Sequence, residues 1–161
     1  MLNRIRVKMP RIISAFYPKS IVWNFDSTNE IYLTFDDGPH PEITSFVLDE
    51  LKRVNAIATF FCIGKNVDAY PHIFERIQQD GHAIGNHTQH HLNGWHSTTD
   101  AYVKDLELAE KSIPSKLFRP PYGRVKRKQI KAIEDKGYRI VLWSVLSGDF
   151  DTALTPEKCW E

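Results

Sequence analysis

Cysteine is scarce in this chain. Cys62 and Cys159 are the only two in 161 residues, too few for the disulfide framework that staples small secreted domains. Cys62 lies inside an apolar run and reads as a core residue rather than a bridge partner. No apolar stretch is long enough to span a bilayer. Near the start, Arg6, Lys8, Pro10 and Arg11 break up any signal-peptide core. As it stands the chain reads as cytoplasmic; a chain without its leader would look the same and would belong to the cell envelope or the outside. An excess of charge is also missing: 21 Lys plus Arg face 20 Asp plus Glu, net +1, which offers no field for nucleic acid or an anionic membrane. Repeats and low-complexity segments are absent. What remains, 42% hydrophobic and 25% charged residues, is the composition of a globular domain with a real core.

Residues 1–30 show no clear period and read as an N-terminal arm or lid, with Phe16, Tyr17, Ile21, Val22 and Trp23 packing at one end of the fold. From residue 31 a regular order sets in. A buried strand is expected at 31–35. A helix follows over 42–55, opened by Pro41, with Ile43, Phe46, Val47, Leu51 and Val54 as its buried stripe. A strand at 58–63 is closed by Gly64. Pro71 and Gly81 bracket a helix whose Ile73, Phe74 and Ile77 face inward. Then come a strand at 82–84, a loop over 85–96, and a helix at 100–111 capped by Ser97, Thr98 or Thr99. A short strand at 116–118, a helix at 126–136 and a long strand at 139–145 follow. Thr155 and Pro156 look like the start of one more helix. Strand then helix, repeated, argues for an α/β fold with a mainly parallel sheet, open or rolled into a barrel. In such folds the loops after the strands carry the site.

Two of those loops hold concentrated chemistry. The run Thr34-Phe35-Asp36-Asp37-Gly38-Pro39 places two carboxylates where a strand ends. Like charges so close repel in a low-dielectric site, and a bound cation would offset that cost. One Asp can then ligate while the other moves a proton. Asp-Asp-Gly-Pro is equally good chemistry for a plain turn. Five of the seven histidines fall between His82 and His96. His87 and His91 are four apart and share a face if the loop makes a helical turn. With a carboxylate such as Asp37 they form a two-His, one-carboxylate set. His90 points elsewhere on this geometry and is the bystander.

Two further stretches are weaker. In Arg119-Pro120-Pro121-Tyr122-Gly123 the prolines fix the backbone. Arg119 could keep a cleft carboxylate ionised, and the Tyr122 amide could face an oxyanion, but on its own the segment reads more simply as a rigid surface turn. In Trp143-Ser144 and Asp149, Trp143 could wall a sugar-sized pocket or serve as core. Asp149 could orient a catalytic histidine or be an ordinary loop residue.

Together these residues resemble the polysaccharide deacetylase family (carbohydrate esterase family four) over roughly Ile31 to Asp151. Thr34-Phe35-Asp36-Asp37-Gly38 is similar to the family's first motif and His87-Thr88-Gln89-His90-His91 to its second. Arg119-Pro120-Pro121-Tyr122-Gly123 is similar to the third, and Trp143-Ser144 with Asp149 to the fourth. The resemblance implies a distorted (β/α) barrel over 31–161 and metal-dependent removal of acetyl groups, N-acetyl foremost, from an acetylated polysaccharide or oligosaccharide such as peptidoglycan or a chitin-like polymer. It implies Asp37, His87 and His91 as ligands of a divalent metal, zinc foremost, with cobalt, nickel or manganese as alternatives. It implies Asp36 as general base, positioned by Arg119, and the Tyr122 backbone as an oxyanion donor. Asp149 would tune a general-acid histidine, and Pro121, Tyr122 and Trp143 would line the substrate cleft.

That histidine belongs to a fifth Leu-His or Phe-His motif, which does not occur between Asp149 and Glu161. The barrel is therefore expected to lack its last helix and strand, either because the sequence is cut short or because the enzyme is crippled. The four intact motifs favour the first, and without the acid, weak turnover is expected. The alternatives are a carbohydrate-binding relative without turnover and a different metal hydrolase such as a phosphoesterase. The sequence shows no second carboxylate set for another metal and no phosphate-cradling glycine loop. It leaves oligomeric state open.

Overall fold

The structure is a computed structural model that describes residues 17–24, 29–151 and 153–155. Its residues fall into two units: the first lies within 27–140, and the second joins N-terminal residues up to 26 with those from 141 onward.

The larger unit is an α/β fold. Its strands are β1 (Leu33–Asp36), β2 (Ala58–Cys62), β3 (Ala83–Asn86), β4 (Leu117–Phe118) and β5 (Arg139–Ile140), and its helices are α1 (Ile43–Arg53), α2 (Gly64–Ala69), α3 (Pro71–Gln79), α4 (Thr99–Glu110) and α5 (Arg127–Glu134). The five strands form one sheet in sequential order, and every pairing is parallel. This is the strand–helix succession of a distorted (β/α) barrel, with helices flanking a parallel sheet. Parallel strands covered by helices are buried, and β2 shows it: Phe60, Phe61 and Cys62 are all at or below 2% exposure. Phe60 and Cys62 join Leu48 and Leu51 of α1, Ile77 of α3, Ala109 of α4 and Ile113 just after it in one core cluster.

Several expectations need correction. The first strand is not a buried one: Ile31 is 87% exposed, and among the described residues β1 occupies the sheet edge and pairs with β2 alone. In α1 the inward stripe is Thr44, Leu48 and Leu51. Ile43, Phe46 and Val54 point to solvent at more than half exposure, and Val47 is only partly buried. The phase is set at the helix start. Thr44 Oγ1 accepts from the His40 N–H at 2.8 Å, and His40 Nδ1 accepts from the N–H groups of Glu42 and Ile43 at 3.3 Å. Thr44 is thereby turned inward, and the i, i+4, i+7 positions follow it. Gly64 does not merely close a strand; it begins α2, a short helix ahead of α3. The strand expected at 139–145 shortens to the two residues of β5. Its neighbour β4 is itself stopped at Phe118 by Arg119 and two prolines, which leave no further ladder to pair with.

In the smaller unit Val22 pairs with Val141 in parallel, and the Leu142 N–H donates to the Val22 carbonyl at 2.8 Å. Tyr17 and Trp23 meet edge to face at 5.4 Å, and Ile21 is buried. Phe16, Cys159 and the helix expected from Pro156 lie outside the described residues.

Candidate metal centre

The sheet brings three strand ends together. Register pairs Asp36 with Phe61, Cys62 with Asn86, and Asn86 with Phe118. The residues that follow β1, β3 and β4 therefore emerge at one edge. The backbone there is unusual. Among the described residues, five non-glycine residues have positive φ, and four of them are Asp37, Thr88, His91 and Tyr122. Left-handed backbone costs free energy for such residues and persists where surrounding structure holds it.

At Asp37, φ of 67° reverses the chain just after β1. Asn66 of α2 donates to its carbonyl at 2.7 Å. The Asp37 carboxylate then lies 3.1 Å from His91 Nε2 and 3.4 Å from His87 Nε2. One ligand atom from each of these three residues lies within 4.8 Å of the others. His87 and His91 meet without the helical turn the spacing suggested. Loop geometry does it instead, with φ of 65° at Thr88 and 56° at His91. Asn86, wholly buried at the end of β3, anchors the loop. Its Oδ1 accepts from Thr88 N–H at 2.8 Å and its Nδ2 donates to the Leu106 carbonyl at 3.0 Å. His90 stands outside the trio, its Nδ1 2.6 Å from Asp105 Oδ1 and its N–H donating to Asp105 Oδ2 at 3.0 Å.

The donor chemistry fits a cation. His87 Nδ1 lies 2.7 Å from the Arg119 carbonyl oxygen. A carbonyl only accepts, so Nδ1 carries the proton, and in a neutral imidazole Nε2 presents a lone pair. That lone pair faces a carboxylate oxygen at 3.4 Å. Two electron-pair donors facing each other need a positive charge between them. A carbonyl that accepts from the far ring nitrogen and so fixes the tautomer is how ligating histidines are held.

Beside the trio sits a second pair. Arg119, 2% exposed, donates through Nη1 to Asp36 Oδ1 and Thr34 Oγ1, both at 2.8 Å. Its guanidinium carbon lies 4.1 Å from the centre of the Phe61 ring. Burial lowers the guanidinium's pKa, and Asp36 pushes it back up. The exposed surface turn that Arg119 suggested on its own is therefore wrong. Once β4 ends, the side chain turns beneath the site. Pro121 is buried in the short turn that follows, and Tyr122 (φ 60°) packs its ring 4.5 Å from that of His91. Trp143 and Asp149 belong to the other unit. There Trp143 is half-buried, and Asp149 is exposed, with Oδ1 accepting from Ser147 Oγ at 2.6 Å. Thr34 was named only within its motif, and Asn66, Asn86 and Asp105 not at all. Of these only Asn86, next to His87 at a strand end, gave any signal.

A parallel α/β sheet whose strand ends gather two histidines and two aspartates is the frame and donor set of a candidate metal centre. Residues 25–141 match the family model for polysaccharide deacetylase; the chain belongs to that family. It is 40% identical over 127 residues to a peptidoglycan-N-acetylglucosamine deacetylase of Bacillus cereus, covering 75% of this chain and 46% of that protein. It is 38% identical over 130 residues to a chitooligosaccharide deacetylase of Azorhizobium caulinodans, covering 76% of this chain and 62% of that protein. The crystal structure of a peptidoglycan N-acetylglucosamine deacetylase superposes with a TM-score of 0.83 at 33% identity, over 94% of this chain and 72% of that one. The chain thus spans between about half and three-fifths of the length of these curated relatives.

Proposed function

We propose that the chain hydrolyses acetyl groups, N-acetyl foremost, from a polysaccharide of the peptidoglycan or chitin type. The observation that carries this is the trio Asp37, His87 and His91, with ligand atoms within 4.8 Å of one another and the Asp36–Arg119 pair beside it. A divalent metal, zinc foremost, held by these three residues would polarise the acetyl carbonyl and lower the pKa of water. Asp36 takes the proton from the attacking water. Arg119 engages its Oδ1 and fixes the carboxylate's orientation. The Tyr122 N–H has no acceptor among the described residues and is available to the oxyanion of the tetrahedral intermediate. Hydrolysis adds water across the carbon–nitrogen bond and leaves acetate and a free amine.

The test is acetate release from an N-acetylglucosamine oligomer, with and without chelator, followed by zinc add-back and by cobalt, nickel and manganese in turn. Release that a chelator stops and zinc restores is the expected result. Release indifferent to chelator would remove the metal from the reaction, and no release with metal bound would favour a binding protein.

A further inference from the structure

Tyr122 leads from the metal centre to a feature that the chemistry above does not use. Its ring is 57% exposed and packs on that of His91. The guanidinium carbon of Arg124 lies 5.9 Å from the centre of the Tyr122 ring and 5.1 Å from that of Trp95. Trp95 is itself 54% exposed, on the short turn Gly94–His96, where its N–H donates to Asn93 Oδ1 at 3.0 Å. The turns that carry these residues are locked together. A Cβ on Gly94 would stand 2.4 Å from the Arg124 carbonyl, and buried Gln129 donates to the Gly94 carbonyl at 2.9 Å.

Arg124 is exposed, and its guanidinium makes no hydrogen bond or ion pair among the described residues. Ring contacts engage the face of a guanidinium and leave the N–H fork at its edge for a ligand. A planar fork with positive charge matches a carboxylate in two-point geometry. Neutral sugar rings, by contrast, would gain from the aromatic faces and little from the charge.

We propose that Arg124, held between Trp95 and Tyr122, is a subsite for a carboxylate carried by the acetylated polymer next to the sugar being deacetylated. This rests on the polysaccharide reading above and makes Arg124 a specificity residue, one that favours an acid-bearing glycan over a neutral one.

The test reads binding, so it does not depend on turnover. The whole chain is titrated, by calorimetry or by NMR shifts, with an N-acetylated glycan fragment bearing lactyl carboxylates. It is titrated in parallel with the same fragment converted to primary amides. The acid form should bind about fivefold tighter at low salt, as fits an exposed two-point ion pair, and the gap should close as ionic strength rises. Arg124→Gln should erase the gap, while Arg124→Lys, charged but without the fork, should keep part of it. Equal binding of the two fragments by the unaltered chain would overturn the proposal, as would a gap that survives Arg124→Gln. Equal binding that Trp95→Ala weakens for both would show a platform for neutral sugar instead. Failure of the deacetylase reading is a separate result, seen as no chelator-sensitive acetate release from either fragment.

Discussion

Arg119 serves Asp36 with its side chain and His87 with its backbone: Nη1 lies 2.8 Å from Asp36 Oδ1, and its carbonyl lies 2.7 Å from His87 Nδ1. A substitution keeps the carbonyl and removes the guanidinium, so the two roles separate. Arg119→Met should leave metal affinity near that of the unaltered chain. Under the proposed function it should lower acetate release about 100-fold, by freeing the carboxylate that would take the proton. Stability should fall by about 2 kcal/mol, less than for a fully buried pair because Asp36 keeps some solvent. Urea unfolding, metal content and acetate assays on one preparation check all three. A variant that lost metal as readily as a ligand variant would refute the separation.

The ligand trio makes a sharper demand. Asp37→Ala, His87→Ala and His91→Ala should each weaken zinc binding by at least about 100-fold, beyond the range typical of changes to residues that only hold ligands in place. His90→Ala is the control. It loses the Asp105 contact, so stability should drop by about 1 kcal/mol while zinc stays bound. Metal analysis after dialysis gives the first result and thermal melting with added zinc the second, since bound metal raises the melting point by mass action. Zinc retained by all three ligand variants would dismiss the centre.

How much of this could be read from the sequence follows from what spacing encodes. Asp36, Asp37, His87 and Arg119 each stand at or just past a strand end, and in a parallel sheet those ends converge whatever the loops do. The strand–helix order was legible for the same reason. What spacing does not encode is backbone sign and helix phase. Nothing in His87-Thr88-Gln89-His90-His91 announces two left-handed residues, so a helical turn was the natural guess for bringing the imidazoles together. Nothing in α1 shows that Thr44 is held by His40, so Ile43, Phe46 and Val54 were assigned inward and proved to face outward, while Leu51 is buried as expected and Val47 partly so. Arg119 looked like a surface residue because its partners, Thr34 and Asp36, are more than eighty positions away. Residues 139–145 are rich in strand formers, but a strand also needs a neighbour, and β4 supplies two residues.

Gly64 is where the histidine loop leans on α2. Its N–H donates to the Thr88 carbonyl at 2.9 Å, and a Cβ there would lie 1.9 Å from Gln89 Oε1 and 3.1 Å from the Ala109 Cα. Gln89 is buried and donates to Asp68 at 2.8 Å, so it cannot step aside without losing that bond. Gly64→Ala should therefore cost about 1–3 kcal/mol, as overpacking does, and should weaken zinc binding by moving the backbone between His87 and His91. Unfolding curves and zinc titration measure the two effects. An alanine variant as stable as the original would mean that the loop yields freely.

Tyr102 offers a test away from the centre. Its side chain is wholly buried in α4, and its hydroxyl has no hydrogen-bond partner among the described residues. Burial is the larger cause that raises its pKa above the ordinary tyrosine value, with Asp105 adding to it. Because the folded state holds the phenol proton more tightly than the unfolded chain, stability is intact below about pH 10 and declines as pH rises beyond it. Tyr102→Phe removes both the unpaired hydroxyl and the titration. At neutral pH the variant should be as stable as the original or up to about 1 kcal/mol more stable, and its melting temperature should fall less steeply between pH 10 and 11. The slope is compared with the original chain in the same buffers, since Tyr138, also raised chiefly by burial, contributes to both. A Phe variant less stable at pH 7 by 1 kcal/mol or more would show that the hydroxyl has a partner, for instance a buried water, and that its burial is satisfied.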